Sequence, residues 1–397
     1  TTRQTMSAIE LSVVLPCLNE ADTLETCIRA AQAALRGNGI AGEIVVADNG
    51  STDGSPEIAE RCGARLIRVP QHANPQRNGY GNGLMNGIAA AQGRYVLMGD
   101  SDASYDFAEI PRFLDKLRQG YDLVMGCRSP SGGGRILPGA MPWSHRWIGN
   151  PFFSFLVRHW FRVPVRDVNC GMRAFRKDWH QSLDQRCTGM EFAAEMMIKA
   201  GLLRARIAEV PITLAPDGRR SRRPHLKTLR DGWRILRHLF IYSPSWLYLF
   251  PGLGLMGLGV LIGGLAWWGA KIGPLELDAH TLLYSSAFVL CGYQAVLYSV
   301  LAKTFAINEG LIPPASWFDR FYRVFTLERG LALGALAILL GLAGAGWALW
   351  TWARTDFGHL NYARMMRVAI PSTLFMVLGF QTVFSSFFGS VLGMGKK

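Results

Sequence analysis

Short apolar runs alternate with amphipathic stretches along the first half of the chain. Leu11–Leu15 is apolar but for Ser12, and in the segment that follows Leu24, Ile28, Ala31 and Leu35 fall on one helical face. Ile44–Ala47 reads as a second buried strand. Ser55-Pro56-Glu57 reads as a helix start, with Ser55 as N-cap, a first-turn proline and an acid suited to the helix dipole. Arg65–Val69, Tyr95–Met98 and Leu123–Met125 are further strand signals with helical patterns between them. This alternation predicts an α/β fold, a mostly parallel sheet covered by helices on both faces. In such a sheet ligands sit at the carboxyl ends of the strands.

The rhythm changes at residue 245. Ser245–Ala270, Leu282–Ala302, Leu331–Ala353 and Val368–Leu392 contain no charged residue. Each meets the ~20 residues that crossing a bilayer requires, and several carry Trp or Tyr near an end, at headgroup level. They predict an α-helical transmembrane domain of four spans over residues 245–397. The α/β domain then covers 10–218, behind a tail at 1–9. Between the two domains, Arg219 to Arg237 holds eight basic residues and one acid, Asp231, while Leu226, Leu229, Trp233, Leu236 and Phe240 recur at helical spacing. That pattern predicts a basic amphipathic helix on the membrane surface within 219–244. Trp317–Phe325 and Phe152–Phe161 are further amphipathic candidates.

Composition sharpens this division. At 49% hydrophobic residues the chain can bury a core and is not disordered. Residues 1–244 hold 32 basic and 23 acidic residues, residues 245–397 only 10 and 6. The seven cysteines form no CxxC pair, which points to a reducing compartment. Lys303, Arg320, Arg323 and Arg329 in the second inter-span loop, with Lys396 and Lys397 at the end, place both termini in the cytoplasm by the positive-inside rule, although Arg354, Arg364 and Arg367 oppose it. The expectation is a multi-pass integral membrane protein, in a bacterial inner membrane, with its soluble domain cytoplasmic. The arginine cluster could suggest nucleic acid, but its apolar face beside a span favours anionic lipid, and no nucleic-acid partner is expected.

The chemistry gathers at strand ends. Gly99-Asp100-Ser101-Asp102 directly follows Tyr95–Met98. Two carboxylates two residues apart project to the same side, and they repel unless a cation such as Mg²⁺ or Mn²⁺ lies between them. The second strand ends in Ala47-Asp48-Asn49-Gly50-Ser51-Thr52-Asp53-Gly54-Ser55, and the first in Pro16-Cys17-Leu18-Asn19-Glu20. A carboxylate before a glycine-rich turn can accept hydrogen bonds from a nucleoside, although the turn alone could be ordinary. The eight histidines show no metal-ligand spacing, so no zinc site is expected.

PCLNE, ADNGSTDGS and GDSDAS, in that order, resemble the family-two glycosyltransferases with the GT-A (Rossmann-like) nucleotide-sugar fold. Gly126-Cys127-Arg128, Asp167-Val168-Asn169-Cys170-Gly171-Met172-Arg173-Ala174-Phe175 and Glu209-Val210-Pro211-Ile212 narrow the match. Over about residues 10–240 the chain resembles the polyprenyl-phosphate branch, which includes dolichol-phosphate mannose and glucose synthases. The resemblance implies an inverting transfer of one hexose from a nucleotide sugar, such as UDP-glucose or GDP-mannose, to undecaprenyl or dolichyl phosphate. It implies that Pro16, Asn19, Glu20 and Asp48 line the nucleoside pocket, and that Asp100 and Asp102 hold Mg²⁺ or Mn²⁺ on the diphosphate. Arg128 and Arg219 would contact phosphate, with Arg146, Arg222 and Arg223 as further substrate-binding candidates. Asn49 departs from the usual paired-acid turn, and Ser104 stands where mannose synthases often carry a metal-contacting Gln.

Asp167 is the candidate catalytic base, because Asp100 and Asp102 are committed to the metal. The alternative for Asp167 is an ion pair with Arg166 or Arg173, and Glu191 is the fallback base; Glu191 and Glu195 otherwise read as surface or capping residues. A processive polysaccharide synthase shares the D-x-D but carries a Q-x-x-R-W string that this chain lacks. A transporter leaves the strand-end acids unexplained, and the spans hold no ionisable residue to line a path. A homo-oligomer is compatible with all of this.

Overall fold

A computed structural model describes residues 9–74, 77–219, 228–313, 320 and 322–393. The chain forms two compact units, Thr1–Leu239 and Phe240–Lys397. Arg222, Arg223 and much of the Trp317–Phe325 candidate lie outside the described residues.

The first unit is built on strands β1 (Leu11–Cys17), β2 (Gly42–Asp48), β3 (Arg65–Arg68), β4 (Tyr95–Met98), β5 (Leu123–Cys127), β6 (Arg135–Ile136), β7 (Arg173–Arg176), β8 (Ile207–Pro211) and β9 (Thr213–Leu214). Seven of them form one sheet in the order β3-β2-β1-β4-β7-β5-β8; β6 and β9 pair separately. Every pair in the large sheet is parallel except those of β7, which runs antiparallel to both β4 and β5. The register sets Cys17 beside Asp48 and Val14 beside Met98. The carboxyl ends of β1, β2 and β4 therefore open onto one edge. Helices α1 (Leu24–Gly37), α2 (Ser55–Arg61), α3 (Tyr80–Ala90), α4 (Ile110–Arg118), α5 (Asn150–Phe161), α6 (Lys177–Ser182), α7 (Phe192–Leu202) and most of α8 (Thr228–Tyr242) complete the unit, which ends at Leu239.

The buried face expected of α1 is present: Leu24, Ile28, Ala31 and Leu35 are all in the core. Strand β7 has no apolar run to announce it, because Arg173 opens it and is fully buried. Its guanidinium donates to the carbonyls of Cys170 (2.6 Å) and Ala193 (3.0 Å), which makes the burial tolerable. Ser55 is not the cap of α2 but its first residue, and Gly54 (φ 85°) holds the cap position. Glu195, expected at the surface, is fully buried on α7 and pairs with Lys199 at 3.0 Å.

His180 on α6 stacks on Phe175 (4.7 Å between ring centroids) and bonds Gln185 at 2.8 Å. Burial pushes its imidazole down from 6.5 to about 4. The folded state holds it neutral while the unfolded chain protonates, so its contribution is complete above pH 6.5 and drains away as pH falls toward 4. The loss should reach about 3 kcal/mol, read as a fall in urea midpoint across that window that His180→Gln abolishes.

The second unit contains four helices long and apolar enough to cross a membrane: Ser245–Trp267, which opens with a π-helical turn and continues as α9 (Phe250–Trp267), then α10 (Ala279–Asn308), α11 (Leu327–Ala353) and α12 (Tyr362–Gly393). The last three run beyond the uncharged stretches, since a helix keeps its backbone paired where its side chains reach the interface. A Cβ on Gly252 would meet the Gly292 carbonyl at 2.8 Å, so α9 and α10 approach through glycine, as small-residue packing in membranes requires.

Candidate active site

The turn after β1 is stapled to the turn after β2. Asn19 takes a left-handed backbone (φ 58°), which asparagine tolerates better than most residues. Its N–H donates to the Ser51 hydroxyl (2.8 Å), and its side-chain oxygen accepts the Thr52 N–H (2.7 Å). The Glu20 N–H donates to Ser55 Oγ (2.9 Å), so the serine expected to cap α2 ties the two turns instead. Asp48 is buried and accepts the Ser51 N–H at 3.1 Å, closing its own turn. Asn49, in place of a second acid, donates to the carbonyls of Asn78 (2.9 Å) and Gly79 (3.1 Å). A carboxylate could not donate, so the amide is what fastens the start of α3 to β2.

Asp100 and Asp102 follow β4. Asp100 Oδ1 accepts the Tyr80 hydroxyl from α3 (2.7 Å), while Asp102 Oδ1 accepts the N–H (3.0 Å) and hydroxyl (2.6 Å) of Ser104. The Ser101 hydroxyl between them donates to the Pro16 carbonyl (2.8 Å). A Cβ on Gly171 would lie 2.6 Å from Asp100 Oδ2, so only glycine lets the Asn169-Cys170-Gly171 turn approach the acids. Burial and the neighbouring Asp102 carboxylate push Asp100 up to about 6. That repulsion is the test of fit for a hard divalent ion: two carboxylates on one turn offer oxygen donors whose mutual repulsion a cation between them would relieve. Oxygen-only donors suit Mg²⁺ or Mn²⁺. Ser104 orients Asp102.

Arg219 reaches these acids because the chain after β9 runs back across them. The Ala215 N–H donates to the Ser104 carbonyl (2.9 Å), and the Gly218 N–H to that of Asp102 (2.8 Å). Arg219 Nε and Nη2 then grip both Glu20 oxygens at 2.6 Å. Its Nη1 lies 2.7 Å from Asp217 and 3.5 Å from Asp102. Sequence spacing carried no sign of this four-member network.

Asp167 is not placed as a base. It is fully buried, and its oxygens accept Arg128 Nε (2.7 Å), Arg128 Nη2 (2.8 Å), the Arg128 N–H (3.0 Å) and Asn150 Nδ2 (2.7 Å). Burial alone would raise its carboxyl, but the Arg128 charge and hydrogen bonds overcome this and hold it below the usual range. A saturated, strongly acidic carboxylate is a poor proton acceptor. Its partner is Arg128, neither Arg166 nor Arg173. Arg146 lies in the π-helical turn His145–Gly149; it stacks over Trp147 (5.3 Å) and keeps a buried Nε without a hydrogen-bond partner. Tyr80 and Asn150 were missed by sequence reasoning; Tyr105, which the sequence offers as a stacking or packing residue, is buried and accepts the Gly171 N–H at 2.8 Å.

An open sheet with acids and a paired arginine at its carboxyl edge, continued by four apolar helices, defines a GT-A-type glycosyltransferase with a helical membrane region. The family model for glycosyl transferase family 2 matches residues 12–184, and that for the glycosyltransferase family 2 C-terminal transmembrane region matches 300–393. The chain is 38% identical over 386 residues to the low-salt glycan biosynthesis hexosyltransferase Agl6 of Haloferax volcanii, covering 96% of this chain and 89% of that one. It is 33% identical over 206 residues to a dolichyl-phosphate hexose transferase of the same organism, covering 51% of this chain and 82% of the relative. A crystal structure of glucosyl-3-phosphoglycerate synthase from Mycobacterium tuberculosis aligns over 59% of this chain and 80% of its own at 23% identity, with a TM-score of 0.46. The chain belongs to the family-two glycosyltransferases.

Proposed function

We propose that the protein transfers a single hexose from a nucleotide sugar, UDP-glucose or GDP-mannose, to a polyprenyl phosphate, inverting the anomeric centre. The observation that carries this is the network at the sheet edge, where Arg219 joins Glu20 and Asp102 beside the Asp100–Asp102 pair. Similarity to a dolichyl-phosphate hexose transferase supports the lipid acceptor.

In this scheme Pro16, Asn19, Glu20 and Asp48 shape the nucleoside pocket, and Asp100 and Asp102 hold Mg²⁺ or Mn²⁺. The bound ion would supply Lewis-acid stabilisation of the diphosphate leaving group. Arg219, released from Glu20, turns to the donor phosphates. Asp167 engages Nε and Nη2 of Arg128 and so leaves Nη1 for a phosphate oxygen; the planar fork suits that task. The acceptor phosphate is already an anion, so a strong base is dispensable, and Asp167 acts as a positioning residue. Exposed Trp143, Trp147, Ile148, Phe152 and Phe155 around α5, with Leu229 and Trp233 on α8, offer apolar surface to the headgroup layer. The catalytic domain, 10–218, would lie in the cytoplasm with 219–244 at the interface.

The test is a panel of radiolabelled donors with undecaprenyl and dolichyl phosphate, with and without EDTA. One single-sugar lipid, formed only with Mg²⁺ or Mn²⁺, is expected; long polymer would indicate a processive synthase instead. Arg219→Ala should cut turnover by about 10²-fold, the scale of one lost charge-stabilising donor, with unchanged flotation on anionic liposomes. Normal turnover would reduce the arginine segment to an anchor.

A further inference from the structure

Two side chains eight residues apart and a third 51 residues from the first, all outside the acid pair, meet against α7. Cys187 lies in the loop before that helix, Glu195 on it, and His238 near the end of α8. Their sulfur, oxygen and nitrogen atoms all lie within 4.8 Å of one another, and Cys187 Sγ is 3.1 Å from His238 Nε2. Glu195 is held in place by the N–H groups of Arg186 (3.0 Å) and Cys187 (2.9 Å). Nearby, Glu191 keeps a buried carboxylate oxygen without a hydrogen-bond partner, and its charge acts on both Cys187 and His238.

We propose that Cys187, Glu195 and His238 form a zinc site, with Glu191 or water as fourth ligand, that fastens the amphipathic helix α8 to the catalytic domain. The donor set selects the metal. Thiolate, imidazole and carboxylate together suit borderline-soft Zn²⁺, whereas Mg²⁺ takes oxygen. Zinc bond lengths of about 2.3 Å to sulfur and 2.0–2.1 Å to nitrogen put the tetrahedral S–N edge near 3.5 Å, so the observed 3.1 Å needs to open by only a few tenths of an ångström. Burial holds the His238 imidazole below its ordinary range, which keeps it neutral and able to ligate. On binding, the Cys187 thiol releases its proton to solvent as the Zn–S bond forms; the thiolate and the Glu195 carboxylate bring two negative charges to the ion, and Lys199, 3.0 Å from Glu195, would turn from that carboxylate to the Asp184 carbonyl it also contacts.

The site's position gives it a consequence for the reaction. The loop that carries Cys187 also meets α3: the Asn82 N–H donates to the Thr188 carbonyl (2.9 Å), and the Gly81 N–H to that of Gly189 (3.2 Å). Tyr80, at the head of α3, is the residue that bonds Asp100. Zinc would therefore hold α8 and the Tyr80–Asp100 contact in one frame. This cluster left no sign in the sequence, because Cys187 and His238 lie 51 residues apart, with no ligand-pair spacing.

The test uses the full-length protein in detergent, stripped with chelator and then loaded with Co²⁺ alone. The wild type should take up cobalt with a near-ultraviolet thiolate-to-cobalt charge-transfer band that one equivalent of Zn²⁺ abolishes. Cys187→Ser should lose that band, and His238→Ala should weaken Co²⁺ binding by at least tenfold. Asp102→Asn should keep both, which separates this site from the acid pair. As a measurement that needs no variant, Zn²⁺ but not Mg²⁺ should slow alkylation of Cys187 at least tenfold, read by peptide mass spectrometry. Absence of the band in cobalt-loaded wild type, its survival in Cys187→Ser, or alkylation indifferent to Zn²⁺ would each overturn the proposal and leave a thiol–imidazole hydrogen bond beside a Glu195–Lys199 pair.

Discussion

Asp102→Asn is expected to lower turnover by about three orders of magnitude while leaving the domain folded. The amide oxygen can still accept from Ser104, so the turn after β4 keeps its two local hydrogen bonds. What disappears is one negative charge facing Arg219 and a future cation. Leaving-group charge develops at the diphosphate, and removing one preorganised stabiliser of such charge costs about 10²–10³-fold, more where a metal ligand goes with it. A second effect follows from Asp100, whose carboxyl is raised to about 6 first by burial and then by its neighbour, and which should move down once that neighbour is neutral while the part due to burial remains. Two measurements check this: steady-state transfer to polyprenyl phosphate, and calorimetric nucleotide binding with and without Mn²⁺. The variant should bind nucleotide no better with Mn²⁺ than without. Wild-type turnover in chelator, or metal-enhanced binding in the variant, would remove the acid pair from metal binding.

Much of this edge was legible because strands buried on both faces read as near-continuous apolar runs, and Val13–Leu15, Ile44–Ala47 and Tyr95–Met98 do. The acids that end such runs stand out against them. Contacts that depend on topology did not show. Arg128 follows one strand and Asp167 precedes another, and they meet because β7 inserts beside β5 in the antiparallel sense. Arg166 and Arg173 looked closer to Asp167 in sequence; the Arg166 N–H instead bonds Glu209 (2.6 Å), and Arg173 spends its donors on carbonyls. β7 itself escaped notice because a buried arginine breaks the apolar pattern. Asn49 and Ser104 are departures from the family motif. The structure gives each a bonding role that the motif's own residue could not fill unchanged: donation to two carbonyls at Asn49, and a short hydroxyl contact to Asp102 at Ser104.

Asp167→Ala is expected to destabilise the domain by about 3–5 kcal/mol, because it strands the Arg128 guanidinium in the interior without a counter-charge. Asp167 is fully buried and Arg128 nearly so, and no water-facing rearrangement of so enclosed a pair restores what is lost. Removing both charges should hurt less than removing one: Asp167→Leu combined with Arg128→Met should recover a large part of that stability, since only the unpaired charge carries the heavy penalty. The pH dependence has a definite sign. Asp167 is held below the ordinary aspartate value, so the pair's contribution is present above about pH 4 and is lost as acid titrates the folded carboxylate. Catalysis separates positioning from base chemistry. As a positioning residue, Asp167 sets the orientation of Arg128, so Asp167→Asn should lose stability and turnover together, while the pH profile of the remaining activity keeps its shape. As a base, it would leave stability nearly intact in Asp167→Asn and flatten the acidic limb of the profile. Urea unfolding and kcat against pH on the same preparations distinguish the two, and a stable, inactive Asp167→Asn with an altered acidic limb would restore the base role that the geometry argues against.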